Sequence, residues 1–176
     1  MALKVFSIPA LPRVNNGAAR LLPVATTLVA AVISVLPLQI PGYAALTPVF
    51  TLMAAYHWTI YRPDLLPPVA LFAVGLTEDL LAGAPIGINA LLLLLTRAAV
   101  LGQRRYFVNR NFPFVWAGFT LLTSAAMFAL WALHCILTLS LVDFRFAMVR
   151  AALTIAIFPL ASFLLGRAQR AVMGAG

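Results

Sequence analysis

Apolar runs separated by short segments containing proline, glycine or charge dominate the chain. A transmembrane helix needs about 20 mostly apolar residues at roughly 1.5 Å of rise per residue, and six runs come close to that length or exceed it. The predicted spans are Leu21–Leu38, Ala44–Tyr61, Leu65–Leu81, Ile88–Gly102, Pro113–Leu141 and Phe144–Gly166. The pattern therefore predicts an all-α polytopic membrane protein with six transmembrane helices and short loops, forming a single integral membrane domain over residues 1–176.

Residues between the apolar runs predict how some of the helices begin and end. Asp64 precedes the third span and Asp143 precedes the sixth, and an aspartate in that position is a good N-cap. The loop between the third and fourth spans contains Gly83, Pro85 and Gly87. Because glycine permits positive φ and proline fixes its own φ, we expect this loop to be a tight, structured turn.

Basic residues lie mainly on one side of the predicted membrane. The other side has Arg145, with Arg150 deeper in the sixth span. By the positive-inside rule, this asymmetry places both chain ends, including an N-terminal segment of residues 1–20, in the cytoplasm. The basic residues assigned to the cytoplasmic side are Lys4, Arg13, Arg20, Arg62, Arg104, Arg105, Arg110, Arg167 and Arg170.

The composition excludes several classes of protein. The chain is 64% hydrophobic and 9% charged, whereas soluble domains are about 45–50% apolar and about 25% charged. A soluble enzyme, a nucleic-acid-binding domain and a disordered chain are therefore excluded. The net charge of +8 comes from basic residues between apolar runs, which indicates contact with anionic membrane lipid rather than nucleic acid.

Two adjacent acids, Glu78 and Asp79, are the candidate functional charges, because acids near the end of a membrane helix are costly. Arg150 and Arg145 lie on the same outer half of the membrane and could pair with them. Such pairing requires the third and sixth spans to be neighbours. The alternatives are that the acids reach the outer headgroups, or that they contact a partner subunit or a cation.

No catalytic or metal-binding motif is present: GxSxG, HExxH, GxxxxGK[ST] and CxxC are all missing. We therefore expect no enzymatic activity, no cofactor and no metal site. His57 and His134 lack ligand spacing, so packed or interfacial roles are expected. Tyr56 and Trp58, with the nearby Tyr61, are predicted to form an aromatic belt at the membrane interface.

The segment GLTEDLLAGAPIGINAL, Gly75–Leu91, resembles the signature of the MreD family of rod-shape-determining membrane proteins. Ile86 stands where that family usually has leucine, and Glu78 stands where glutamine is frequent, so the resemblance does not require a charge at Glu78. The matching positions are Gly75, Leu76, Asp79, Leu80, Leu81, Gly83, Pro85, Gly87, Asn89, Ala90 and Leu91.

The resemblance implies a non-enzymatic subunit of the bacterial elongation machinery in the inner membrane, acting in peptidoglycan synthesis and cell-shape control. Its implied partners are MreC, the MreB filament, RodA and a class B penicillin-binding protein. Because the family's fold is similar to the substrate-binding subunits of energy-coupling-factor transporters, a vitamin-type transporter subunit is the alternative. The implied partner-binding or structural motif comprises Gly75, Glu78, Asp79, Gly83, Pro85, Gly87 and Asn89.

The charge asymmetry yields a labelling prediction. A cysteine placed at Ala84 should react with a membrane-impermeant reagent added from outside, whereas one placed at Asn109 should not, because the two loops lie on opposite sides. The reverse labelling pattern would mean that the orientation is inverted.

Overall fold

The computed structural model describes residues 17–35, 48–83, 85–107, 112–138 and 143–173. Within these residues the chain forms six α-helices and no β-strand, which confirms the all-α prediction for the part of the chain that the structure describes. The helices are α1 (Gly17–Val35), α2 (Phe50–Tyr61), α3 (Pro68–Ala82), α4 (Ile88–Phe107), α5 (Phe112–Thr138) and α6 (Phe144–Met173).

The helix starts agree with the predicted spans at α4 and α6 and differ at α2 and α3. The Asp143 carboxylate accepts a 2.9 Å hydrogen bond from the Arg145 amide, so Asp143 caps α6 as expected. The predicted cap at Asp64 is wrong, because α3 begins only at Pro68 with an extended Pro67 before it. A proline disfavours helical backbone at the residue before it, so two consecutive prolines delay the start of this helix.

The second predicted span is also too long at its start. Residues 48–49 are not helical, and α2 begins at Phe50 rather than Ala44. At their other ends, α4 and α6 continue beyond the predicted Gly102 and Gly166. The hydrophobic run defines how much of a helix suits the membrane, but backbone hydrogen bonding continues into polar sequence. The predicted ends at residues 38 and 141 lie outside the described residues.

Helix α2 is the centre of the bundle. All ten residues from Thr51 to Ile60 are buried, because α1, α4 and α6 pack around the helix. Helix α3 packs against α1 and α4, and α5 packs mainly against α6. A helix enclosed in this way shows no single apolar face, which is why its sequence carries so little amphipathic pattern.

Neighbouring helices satisfy the polar groups at the start of α2. The Val49 amide donates to the Thr154 hydroxyl of α6 over 3.2 Å, and the Thr51 amide donates to the Ser34 hydroxyl of α1 over 3.3 Å. Helices leave their first amides without intrahelical partners, and such groups are costly when water is excluded. The two hydroxyls therefore tie α2 to α1 and α6.

An aromatic cluster joins α2, α5 and α6. The Tyr56 ring lies 5.1 Å from the Phe119 ring and 5.7 Å from the Phe158 ring, both edge-on, and the Tyr56 hydroxyl donates to the Val115 carbonyl over 2.9 Å. Trp58 is fully buried and donates to the Thr26 hydroxyl. The predicted aromatic belt is therefore wrong for Tyr56 and Trp58, because both rings are core residues whose polar atoms bond to neighbouring helices.

Two arginines of α4 donate hydrogen bonds to the last turn of α2 and to its connection with α3. The Arg97 guanidinium donates to the backbone carbonyls of Leu66 and Pro63, and Arg104 Nε donates to the Ile60 carbonyl over 2.9 Å. Carbonyls at and beyond a helix C-terminus lack intrahelical donors, so cations are favourable there.

Helices α5 and α6 have the length and composition of membrane spans, over residues 112–136 and 144–169. Only 22% of each apolar window is buried within the protein, whereas an apolar helix in a soluble core would be mostly buried. Their exposed large side chains include Leu121, Phe128 and Leu160. Exposed apolar side chains on helices of this length and composition suit contact with lipid.

Candidate functional site

The segment Gly75–Leu91 forms a helical hairpin, which we call the α3–α4 hairpin. Gly83 ends α3 in the left-handed conformation, with φ of 63°, and its amide donates to the Asp79 carbonyl. Gly87 has φ of 99° immediately before α4. The predicted positive φ of these two glycines is confirmed, and each lies where a residue with a Cβ would be strained. Ala84 lies outside the described residues.

Asp79 binds the start of α4 from the last part of α3. Its side chain is fully buried. Asp79 Oδ2 accepts a 2.8 Å hydrogen bond from the Gly87 amide, and Oδ1 accepts a 3.1 Å bond from the Asn89 amide. These amides belong to the group that a helix start leaves without intrahelical partners, and the helix dipole also favours a negative charge there. Asp79 thus acts as an N-cap supplied by the preceding helix.

Gly75 allows the two helices of the hairpin to touch. A Cβ placed on Gly75 would lie 2.4 Å from Ala90 Cα and 2.6 Å from the Ala90 nitrogen. Those atoms belong to the backbone of α4 and cannot rotate away, so only glycine fits at this crossing. The close approach at Gly75 and the hydrogen bonds of Asp79 therefore act on the same helix pair.

Asp79 forms its hydrogen bonds within the hairpin, and its pairing with Arg150 or Arg145 stays a prediction. Both of its carboxylate oxygens bond to backbone amides of the hairpin. The packing explains this, because α3 lies against α1 and α4 whereas α6 lies against α2 and α5. Arg145 is exposed at the beginning of α6.

Glu78 has different surroundings from Asp79. Its side chain is only 4% exposed and lies within hydrogen-bonding reach of the Thr51 hydroxyl, in the first turn of α2. The charges of Glu78 and Arg150 lie close enough to act on each other. Because Thr51 also bonds to Ser34, this region links α1, α2, α3 and α6 at one end of the bundle. Pairing of Glu78 with Arg150 stays a prediction.

The loop of the α3–α4 hairpin projects away from the bundle. Gly83, Pro85 and Ile86 are exposed, and the exposed fraction of Ile86 is 70%. No atom lies within 4 Å of a Cβ added to Gly83 or Gly87. The base of the hairpin is therefore held by hydrogen bonds and close packing, whereas its tip is exposed.

The described residues contain no group of three or more His, Cys, Asp or Glu side chains that could hold a metal ion. His57 is buried, in agreement with the packed role expected for it, and His134 is exposed. The polar contacts that sequence reasoning missed come from Ser34, Thr51 and Thr154. A hydroxyl within an apolar run was the available signal, but its partner depends on helix packing.

Replacing Asp79 should destabilise the hairpin. Asp79→Asn removes the negative charge and leaves one side-chain oxygen to accept a hydrogen bond from α4. We therefore expect the free energy of unfolding to fall by about 1.5–3 kcal/mol. Thermal unfolding of the purified protein in detergent measures the effect. Asp64→Asn, at an exposed position near the start of α3, is the matched control. Equal melting temperatures for the two variants would contradict the capping role.

Gly75→Ala should also destabilise the protein, because the added methyl group meets the Ala90 backbone. Overpacking of this kind costs about 1–3 kcal/mol. Gly102→Ala is the control, because a Cβ at Gly102 meets no atom within 4 Å, and it should be neutral or stabilising by up to about 1 kcal/mol from helix propensity. The same unfolding assay compares the two, and a Gly75→Ala protein as stable as Gly102→Ala would exclude the close crossing.

The family model described as rod shape-determining protein MreD matches residues 18–168, from the start of α1 to the last part of α6. Comparison with curated proteins gave no match, and comparison with solved structures gave none. The similarity to energy-coupling-factor subunits therefore stays a prediction. Because the family model covers most of the chain and includes the whole α3–α4 hairpin, the protein belongs to the MreD family of membrane proteins, which have a role in rod-shape determination.

Proposed function

We propose that the protein is a non-enzymatic membrane subunit of the bacterial elongation complex. In this role it binds MreC and helps couple MreB filaments to peptidoglycan synthesis by RodA and a class B penicillin-binding protein. Membership of the MreD family is the observation that carries the proposal. The architecture supports it, because a helical bundle with short connections can engage partners only through helix faces and loops.

The proposal includes a multi-pass arrangement in the bacterial inner membrane. Six spans then form one membrane domain, with residues 1–20 and the C-terminal end in the cytoplasm. The distribution of basic residues supports this orientation. The apolar, largely exposed surfaces of α5 and α6 support lipid contact.

The tip of the α3–α4 hairpin is the proposed docking surface for MreC. In the proposed orientation it faces the outer side of the membrane. Asp79, Gly75 and the two positive-φ glycines hold its base. A preorganised loop loses little conformational entropy on binding, so a single exposed apolar residue such as Ile86 can contribute strongly to affinity.

Ile86→Ser should weaken MreC binding without unfolding the protein, because Ile86 is exposed. Burying an isoleucine in an interface contributes about 1.5–3 kcal/mol, which corresponds to roughly a ten- to hundred-fold change in dissociation constant. Val69→Ser is the matched control, because Val69 is 76% exposed at the opposite end of α3. Co-purification of MreC from membranes compares the two variants.

Unchanged MreC recovery with Ile86→Ser would exclude the hairpin tip as the docking surface. Failure of the unmodified protein to recover MreC would contradict the proposed function itself. Recovery of a vitamin or a coupling-factor ATPase instead would favour the transporter alternative. Failure of the docking surface and failure of the proposed function are distinguishable. The first is measured with the Ile86→Ser variant, whereas the second is measured with the unmodified protein.

A further inference from the structure

A cavity of about 460 Å³ lies where the last part of α2 meets α6 and the beginning of α5. Its polar lining includes His57, Ser162 and Gln169, and its apolar lining includes Phe112 and Phe163. The volume falls in the range of small-molecule sites, about 300–1,000 Å³. The cavity is remote from the α3–α4 hairpin, because it lies near the C-terminal end of α2 whereas Glu78 lies near its beginning.

His57 brings to this cavity a ring nitrogen that lacks a well-formed hydrogen bond. The residue is 3% exposed, and its Nδ1 lies 3.4 Å from the Ser162 hydroxyl. Its Nε2 forms no hydrogen bond of good geometry within the part of the chain that the structure describes, although the Gln169 side chain lies close enough to the ring for a weak one. Buried polar atoms in proteins are nearly always paired, since an unpaired one costs about 1–3 kcal/mol. An occupant that bonds to Nε2 would remove this cost.

The role of Nε2 depends on how Ser162 bonds to the other ring nitrogen. In a neutral imidazole one nitrogen donates and the other accepts. If the Ser162 hydroxyl donates to Nδ1, Nε2 is a donor; if Nδ1 donates to Ser162, Nε2 is an acceptor. A phospholipid headgroup that carries hydroxyl groups beside its phosphate suits both cases, because it offers acceptors and donors together.

A positive charge, that of Arg167, lies beside the cavity. No Asp or Glu is among its described lining residues. The guanidinium of Arg167, one residue after the lining residue Gly166, lies 5.9 Å from the centre of the Phe163 ring. Arginine beside an aromatic ring is well suited to phosphate, which it binds through several donors in one plane.

The surface beside the cavity suits acyl chains. Phe163 and Leu164 of α6 are more than half exposed, in a helix with the composition of a membrane span. In the proposed orientation the cavity lies at the cytoplasmic end of the bundle. Basic pockets between transmembrane helices on that side are typical sites for phospholipid headgroups.

We infer that this cavity binds the phosphate-containing headgroup of an anionic phospholipid from the cytoplasmic leaflet. His57 Nε2 bonds to the headgroup, Arg167 faces its charge, and the acyl chains lie outside along Phe163 and Leu164. This site is separate from the proposed MreC surface, so either proposal can fail without the other.

Native mass spectrometry of the full chain in mild detergent tests the inference. After delipidation, the protein is titrated with phosphatidylglycerol, with phosphatidylcholine, or with inorganic phosphate. We expect one phosphatidylglycerol to bind preferentially per chain, with little binding of phosphatidylcholine. Equal binding of the two lipids would overturn the headgroup assignment. A thermal shift with inorganic phosphate as large as that with phosphatidylglycerol would identify a soluble-anion site and overturn the lipid source.

Gly166→Leu fills the cavity, because Gly166 lines it and an added Cβ there meets no atom within 4 Å. This variant should fold and lose the bound lipid. Gly102→Leu is the matched control, because its Cβ is equally unobstructed and Gly102 is not among the described lining residues of the cavity, so it should retain the lipid. Equal lipid occupancy in the two variants would overturn the inference.

His57→Phe tests the hydrogen bond while keeping an aromatic ring in place. Loss of one buried hydrogen bond should weaken phosphatidylglycerol binding about five- to ten-fold. The melting temperature without lipid confirms that each variant is folded. If a folded His57→Phe protein binds phosphatidylglycerol with unchanged affinity, His57 is not part of the site. If Gly166→Leu still binds lipid but no longer recovers MreC, the cavity belongs to a protein partner instead.

Discussion

Helix α2 is enclosed by other helices, and this enclosure imposes a strict hydrogen-bonding requirement on the whole bundle. Away from water, each unpaired backbone group costs several kcal/mol. Ser34 and Thr154 supply the acceptors at the beginning of α2, and Arg104 supplies a donor at its end. These partners come from α1, α6 and α4. The hydrogen bonds that pair the backbone groups at the two ends of α2 therefore also hold these three helices against it.

The same requirement explains the α3–α4 hairpin. Pro85, Ile86 and Gly87, which precede α4, have no side-chain acceptor, and Asp79 of α3 bonds to the first amides of α4 instead. A carboxylate is suited to this position because it accepts both amides and interacts favourably with the helix dipole. The motif that resembles the MreD signature therefore joins the end of α3 to the start of α4, and Ile86 is exposed at its tip.

The two ends of α2 carry different polar groups and have different proposed roles. At its beginning, the Thr51 hydroxyl and Glu78 lie together, with the charge of Arg150 close by, so polar groups of four helices are concentrated there. Near its other end, His57 lines a cavity with one ring nitrogen that lacks a well-formed hydrogen bond. A polar cluster between helices joins them to one another, whereas a polar atom without a good hydrogen bond beside a cavity can be paired by a ligand.

The sequence by itself determined the helical class, the starts of α4 and α6, the cap at Asp143 and the positive φ of Gly83 and Gly87, because all of these depend on local hydrophobicity or local backbone sterics. Only the tertiary structure decided that Asp79 binds amides, that Tyr56 and Trp58 are core residues, and that His57 lines a cavity. These outcomes depend on which helices are neighbours. Because this chain has so few charges, its helices carry apolar side chains on most of their faces. Periodicity therefore cannot distinguish a face that contacts lipid from one that is buried against another helix.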